Sequence, residues 1–378
     1  MRLSVDRLLK AINEQAHNLS IEPPDALPTT KLGLIATLYF KEGYSLKKKN
    51  KINKCFARFH EEFESHLKTM VYRRRKKLTN DNFTKARESI LQTDPDDQFS
   101  WFIGSSSSPD EADSYSMSML NSFEVHGDKK RSFIKIVLPW TFLNEEKGVE
   151  RFQDWITYLC DQIGAEHGYA GLSSILPYDY HSYMPTEYEL AKRYPGLQVD
   201  SMPHSSAREL LGYIKGVNWF TIVENDLIER LGGESTIRKS FSGRGDINIL
   251  SYKKGLIVRA GEWPELGSSE EYLPAAYVAV NNIFKPLRIP VPDQLHSYSP
   301  YGICFEKEST DKWYARFDRN DDMTTPSRIE SNQSCTKEGY WFTPAKPNSR
   351  KYFKLGELMP KIDNSVWGDT LWYWSGED

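Results

Sequence analysis

The sequence has little of what marks an enzyme, a metalloprotein or a membrane protein. It holds 4 cysteines, Cys55, Cys160, Cys304 and Cys335, and none stands at the close spacing a zinc site requires. Their scatter fits reduced thiols rather than a disulfide framework. No apolar run approaches the roughly 18 residues of a membrane span. The opening residues Met1-Arg2-Leu3-Ser4-Val5-Asp6-Arg7 lack the basic-then-apolar order of a signal peptide, so a cytoplasmic location is expected. Neither charge is in excess, with 49 Lys and Arg against 52 Asp and Glu. A nucleic-acid binder usually carries a positive surplus, so direct nucleic-acid binding is not expected, and neither is a membrane partner.

Catalytic motifs are missing too. Asp110-Glu111-Ala112-Asp113 spells a helicase box, but no G-x-x-x-x-G-K-[ST] loop exists to cradle phosphates beside it. Gly171-Leu172-Ser173-Ser174-Ile175 lacks the closing glycine of a nucleophile elbow. His60 and His66 share a predicted helix, but their six-residue separation turns them away from each other. No metal, cofactor or catalytic residue is therefore assigned.

Aromatic residues are abundant at 13%, including 10 Trp and 21 Tyr, so the chain has the material for a core. Residues 1–30 read as a short polar helix and a linker containing Pro23, Pro24 and Pro28. A strand is predicted over Leu32–Phe40. Ile52, Cys55, Phe56, Phe59, Phe63, Leu67, Met70 and Val71 recur at steps of three and four and predict one long amphipathic helix. Strands are predicted at Phe99–Ile103, Tyr115–Phe123 and Phe133–Leu138. A helix is predicted from Gly148 to a Gly164 cap. Residues 166–205, rich in Gly, Pro, Tyr and Ser, read as an ordered crossover of loops and short helices. The order then repeats: a β-like entry at Val217–Thr221, a helix stopped by Gly232-Gly233, strands at Ile247–Ser251 and Gly255–Ala260, and a helix ending before Pro286. The expected fold is α+β: two similar lobes, 31–165 and 206–297, of mainly antiparallel sheet with amphipathic helices packed on one face. The remainder, 298–378, reads as a β-rich, Trp-rich extension, with strands at Tyr301–Glu306 and Trp313–Phe317 and an apolar end at Trp367, Trp372, Tyr373 and Trp374.

Several groups are candidate contacts. The acidic stretch Asp94, Asp96, Asp97, Asp110, Glu111 and Asp113 could mimic phosphate in a basic cleft. Tyr178, Asp179, Tyr180 and Tyr183 offer a competing aromatic surface, and Glu262-Trp263 lies in a turn. The runs Lys47-Lys48-Lys49-Asn50-Lys51 and Arg73-Arg74-Arg75-Lys76-Lys77 flank the predicted long helix. They read as solvated helix ends, the second complementing the C-terminal dipole; an acidic-partner or nucleic-acid patch is the alternative.

One ordered set of motifs carries more information. It runs His167-Gly168-Tyr169-Ala170-Gly171-Leu172, Arg193-Tyr194-Pro195-Gly196-Leu197-Gln198-Val199-Asp200, Ile214-Lys215-Gly216-Val217-Asn218-Trp219-Phe220-Thr221 and Leu231-Gly232-Gly233. Arg259-Ala260-Gly261-Glu262-Trp263-Pro264-Glu265-Leu266-Gly267 and Pro286-Leu287-Arg288 complete it. In this order and spacing the chain resembles the type VI immunity family of bacteria, departing where Ser268-Ser269 follow Gly267 in place of an Asp. The glycines read as turn and helix-end residues, and Trp219 as core. The resemblance implies an antitoxin that binds and neutralises a cognate type VI effector toxin in the cytoplasm by occluding its active site. The toxin would be a nuclease or another enzyme acting there. Two alternatives follow from the residues: an effector-loading adaptor, and an enzyme with a dispersed site built from His167, His181, His204, Glu187 and Asp179.

Overall fold

The computed structural model describes residues 12–16, 19–21 and 27–376, except 271, 298, 300–301, 319–327, 336–337, 344, 347–348 and 364–369. Most of the predicted N-terminal helix and linker, with Pro23 and Pro24, lies outside the described residues, as do Tyr301 and Trp367. The chain forms two compact units, Met1–Phe317 and Asp318–Asp378.

In the first unit the elements run β1 (Lys31–Phe40), α1 (Leu46–Phe63), β2 (Thr69–Tyr72), β3 (Arg74–Lys77), α2 (Asn80–Gln92), β4 (Ser100–Gly104), β5 (Ser116–Leu120), β6 (Ser132–Pro139), α3 (Gly148–Ile163), β7 (His167–Ile175), α4 (Met184–Arg193), α5 (Pro203–Glu209), β8 (Phe220–Glu224), α6 (Asn225–Glu229), α7 (Gly233–Ser240), β9 (Ile247–Tyr252), β10 (Gly255–Ala260), α8 (Ala275–Phe284) and α9 (Lys307–Tyr314). The fold is α+β. Ten strands form one sheet in the order β3-β2-β4-β5-β6-β1-β7-β8-β10-β9, and every neighbouring pair is antiparallel. The strands of both expected lobes thus belong to a single sheet, joined where β1 inserts between β6 and β7.

The sequence of β1, Lys-Leu-Gly-Leu-Ile-Ala-Thr-Leu-Tyr-Phe, is almost continuously apolar because both of its faces are covered. Leu34, Ala36, Leu38 and Phe40 belong to the main core, with Ile134, Ile136 and Leu138 of β6 and Ala170 and Leu172 of β7. α1 and α3 supply that core's other layer. Phe56 stacks on Trp101 at 3.8 Å, Phe59 meets the edge of Trp155 at 5.8 Å, and Phe152 stacks on Trp219 at 5.9 Å. Cys55 and Cys160 are buried as small hydrophobes on these helices. Helices do not keep to one face, however. Ile35, Tyr39, Phe133, Val137 and Tyr169 form a second cluster on the reverse face, where Ala207 of α5 packs.

The structure corrects several local readings. The long helix ends at Phe63, and Met70 and Val71 lie in β2, since Thr69, Val71 and Tyr72 suit a pleated strand and that strand finds partners in β3 and β4. Consequently Arg74–Lys77 is not a helix end but the outermost strand. The motif at 167–172 is not a crossover loop but the start of β7, buried along its whole length. Gly168 and Gly171, read as turn glycines, lie inside it, and a Cβ at Gly168 would stand 2.5 Å from Leu38 Cδ2. Trp313–Phe317 is no strand. Glu306 and Ser309 form a capping box, and the ion pairs Lys307–Asp311 and Glu308–Lys312 run along α9, so helical signals outweigh a five-residue alternation. The described residues of Tyr301–Glu306 form no strand either.

In the second unit, β11 (Arg328–Glu330), β12 (Gly339–Phe342), β13 (Lys351–Phe353) and β14 (Leu371–Gly376) form a sheet in the order β11-β14-β12-β13. Trp341, Phe353, Met359 and Trp372 make its core, and Trp372 Nε1 donates to Pro360 O at 2.7 Å.

Two of the quoted motifs pack directly on each other. Gly196 N donates to Leu266 O at 2.6 Å, and a Cβ at position 196 would lie 1.9 Å from Glu265 O. Gly196→Ala must push the 259–267 stretch away. We expect a loss of about 1–3 kcal/mol, read as a lower urea midpoint with unchanged slope. An unaltered midpoint would mean that this contact yields freely.

Candidate functional site

The reverse face of the sheet carries a cavity of about 400 Å³ over β4, β5 and β6. Strand alternation selects its floor. Register places Phe102 opposite Ser118 and Ser118 opposite Lys135, while Leu120 stands opposite Phe133. These side chains therefore share one face. Residues 176–181 and 201–204 form the walls. Tyr178 is 40% exposed and meets the edge of Phe102 at 5.1 Å, with the Arg75 guanidinium 5.8 Å from its ring. Tyr180 stacks on His181 at 4.4 Å, and His204 completes the rim. An apolar floor with a few polar groups at the rim is the form of a binding pocket.

A buried polar network holds the walls in place. The Asp200 carboxylate accepts from Thr37 Oγ1 at 2.7 Å, from Tyr169 OH and from Lys135 Nζ at 2.9 Å. Thr37, Lys135 and Tyr169 are neighbours across β1, β6 and β7, so the sheet register itself builds this receptor. Asp200 N donates to Glu187 Oε1 at 3.0 Å, and His296 Nε2 lies 2.7 Å from Glu187 Oε2. Phe305 N donates to His296 Nδ1, so Nε2 carries the proton toward Glu187. Burial pushes the Glu187 carboxyl up, but His296 and Ser201 outweigh it and hold it below its ordinary value. Every member of this network is satisfied internally, and that is the condition under which such a network rigidifies a fold.

The candidate contacts separate. Asp113 is buried, accepts from Ser106 N at 2.7 Å, and is pushed up to about 6 by burial. It shapes the 105–113 loop and lines the cavity wall, and it is no free phosphate mimic. Glu111 accepts from Ser106 Oγ at 2.8 Å; Asp110 is exposed. This loop meets the tyrosine segment, with Asp179 N donating to Pro109 O at 3.1 Å. So Asp113, Tyr178, Asp179 and Tyr180 come together at one cavity, whereas Tyr183 follows in the adjoining Tyr180–Tyr183 turn. Asp94, Asp96 and Asp97 are exposed beyond the end of α2, where Asp96 accepts from Val125 N. Glu262 is exposed and Trp263 half-buried against the core. Trp219 is buried and donates to Gly261 O at 3.2 Å. Gly232, Gly233, Gly261 and Gly267 take left-handed backbone, Pro264 is buried, and Arg288 donates to Tyr314 O.

The dispersed-site candidates do not all converge. His181, His204 and Asp179 line the cavity; Glu187 is enclosed with His296, and His167 stacks on Tyr39 at 4.7 Å in the sheet. No cluster of three metal-binding side chains occurs among the described residues, and no described helix is long and apolar enough to cross a membrane. Lys135 and Asp200 were missed by sequence reasoning. The signal for Lys135 was a charge inside an otherwise apolar strand, Phe133-Ile134-Lys135-Ile136-Val137-Leu138, and that for Asp200 was its place at the end of the quoted motif Arg193–Asp200.

The model of the family TsiV, type VI immunity for VRR-NUC, matches residues 51–317 and so ends where the first unit ends. The solved structure of Pseudomonas aeruginosa T6SS protein PA0821 superposes with a TM-score of 0.74 over 85% of this chain and 93% of its own, at 23% identity, a likeness of fold. No curated protein matches in sequence.

His167 supplies a test of the buried face. Its imidazole titrates near about 6.5 when unfolded, and burial, against the pull of Glu166, pushes it down to about 4 in the fold. Between those values the unfolded chain binds the proton and the fold does not. Stability is therefore full above the unfolded value and falls by an amount on the order of 3 kcal/mol as pH drops toward the folded one. His167→Phe keeps the stacking and should lose less stability between about pH 7 and about pH 4.5. Equal losses for the two proteins, read as urea midpoints, would contradict the assignment.

Proposed function

The chain belongs to the TsiV family, type VI immunity for VRR-NUC, and from that membership we infer that it is an immunity protein which neutralises a VRR-NUC nuclease effector by forming a stable complex with it. Inhibition by binding requires no chemistry of the inhibitor. It does require tight association, because few free nuclease molecules suffice to damage a genome. Nanomolar binding corresponds to about −12 kcal/mol, which an interface of roughly 1,600 Å² with a few aromatic anchors can supply. The complex forms in the cytoplasm, where the nuclease would meet DNA, and it covers the nuclease active site.

The observation that carries the contact surface is the cavity on the reverse sheet face, rimmed by Tyr178, His181 and His204. It is concave, its floor of Phe102, Leu120 and Phe133 is apolar, and its walls are fixed by the Asp200 network, so little order is lost on binding. Asp179 at its rim and the neighbouring Asp110 offer charge to a basic nuclease groove. The acidic turn at Asp94, Asp96 and Asp97, and Glu262-Trp263, stand as outlying contacts.

The test pairs the purified chain with its cognate VRR-NUC nuclease. Nuclease activity should fall to zero at one equivalent, and co-expression should restore growth. Tyr178→Ala should raise Kd about thirtyfold, a hot-spot loss of about 2 kcal/mol, with the urea midpoint nearly unchanged. No inhibition by the wild-type chain would end the immunity reading. Inhibition with an unaltered Kd for the variant would remove the cavity from the interface.

A further inference from the structure

The strand β3 is hard to explain as a piece of fold. Arg73-Arg74-Arg75-Lys76-Lys77 places five cations in succession. Long cations favour strands weakly, and like charges brought together repel. Several cations elsewhere on the first unit have a carboxylate partner, as Lys85 with Asp81, Arg151 with Glu62 and Glu145, and Arg238 with Glu234, and the unpaired ones do not stand five in a row. Among the described residues none of the five at 73–77 makes an ion pair. β3 is also the outermost strand of the sheet, with β2 as its one strand neighbour.

The backbone holds this strip out. Arg73 takes a left-handed conformation, φ 61°, at the tight turn between β2 and β3, a state that costs a non-glycine residue energy. Arg73, Arg74 and Lys77 are exposed. Arg75 is half-buried, donates from Nη2 to Ser106 O at 3.3 Å, and leaves its buried Nη1 without a hydrogen-bond partner. Register sets Arg75 beside Val71, and Val71 beside Phe102 on the cavity face. With Tyr178 5.8 Å from the Arg75 guanidinium, the Arg75 and Lys77 side of the edge adjoins the cavity rim, while Arg74 and Lys76 alternate to the other face.

Charged side chains on an edge also deter strand-to-strand aggregation. That role is met by either sign of charge and by one or two residues. It does not account for five of one sign.

We propose that the β3 edge is an interaction surface for an acidic face of the nuclease, and that it steers and orients the complex before the preformed cavity takes up its anchor. This rests on the immunity reading. The chemistry fits, since nucleases hold their catalytic divalent ions with carboxylates, so acidic side chains stand at the place an inhibitor must cover. A DNA-binding role for the strip is the rival. The chain's overall balance of 49 basic and 52 acidic residues lacks the positive surplus usual in a nucleic-acid binder.

The test measures association rate and Kd of the full chain with the purified VRR-NUC nuclease across a salt series. It compares wild type with R73E/R74E/K77E, which reverses the three exposed charges, and with R73S/R74S/K77S, which removes three of the five positive charges. Urea midpoints verify that each variant folds. The expected result is a slower association and a Kd raised at least about tenfold for the Glu variant at low salt, with its salt dependence flattened and the Ser variant in between. Should the Glu variant not fold, the Ser variant alone must show the slower, less salt-sensitive association. A wild-type rate and salt dependence in the folded variants overturns this surface and leaves the immunity reading standing. Binding of a short DNA duplex by wild type that is lost in the variants, with nuclease binding intact, overturns it in favour of nucleic acid. No complex with wild type overturns both readings.

Discussion

The pairing of β1 with β6 on one side and β7 on the other joins nine further strands into one sheet. β1 precedes all of them in the chain and ends in the middle of them. Its backbone groups are satisfied by neighbours along both edges, and its side chains are covered on both faces. Leu34, Ala36, Leu38 and Phe40 meet the layer of α1 and α3, and Thr37 and Tyr39 point the other way. A strand in this position cannot slip. A one-residue shift would drive Thr37 into the main core and Leu38 into the polar network.

The polar network on the reverse face follows from that register. Thr37, Lys135 and Tyr169 come from three strands and meet at Asp200. Asp200 belongs to an irregular stretch, and its carboxylate pins that stretch to the sheet. Glu187 and His296 then tie α4 and the 296–305 segment to the same point. Removing one partner would leave a buried charge uncompensated, which costs more than the network contributes. The cavity walls at 201–204 inherit their position from this anchor, so a surface offered to a partner is set by an ion pair deep in the fold.

The two proposed contact features differ physically. The cavity is apolar and preformed, suited to holding a side chain and slowing dissociation. The β3 edge is cationic and exposed, suited to speeding and orienting encounter. Arg75 and Tyr178 link them. The second unit, Asp318–Asp378, lies outside the family match and has a core of its own.

Elements with strong local signals were legible in the sequence. The period of three and four over Ile52–Phe63, the Gly164 cap, and the runs at Phe133–Leu138, Ile247–Ser251 and Gly255–Ala260 identify a helix end and strands without reference to anything distant. The α+β class and the quoted motifs, from which the family is recognisable, were likewise within the sequence's reach. What failed was whatever depends on a partner elsewhere in the chain. Met70 and Val71 keep helical spacing, and their pairing with β3 and β4 makes them a strand. His167–Leu172 has two glycines and looks like a turn until Leu38 crosses close to Gly168. Trp313–Phe317 is the exception: it alternates, but the capping box at Glu306 and the i,i+4 pairs over Lys307–Lys312 that make it the end of a helix are local signals. The same limit applies to the site. Asp113 and Tyr178 are far apart in sequence, and they share a cavity because the 105–113 loop pairs with the segment after β7. Sequence alone determined composition, local periodicity and caps, because those arise from neighbours along the chain. Sheet order, the Asp200 receptor and the exposure of β3 were decided by tertiary structure, because long-range strand pairing chooses which charges are buried and which are left facing solvent.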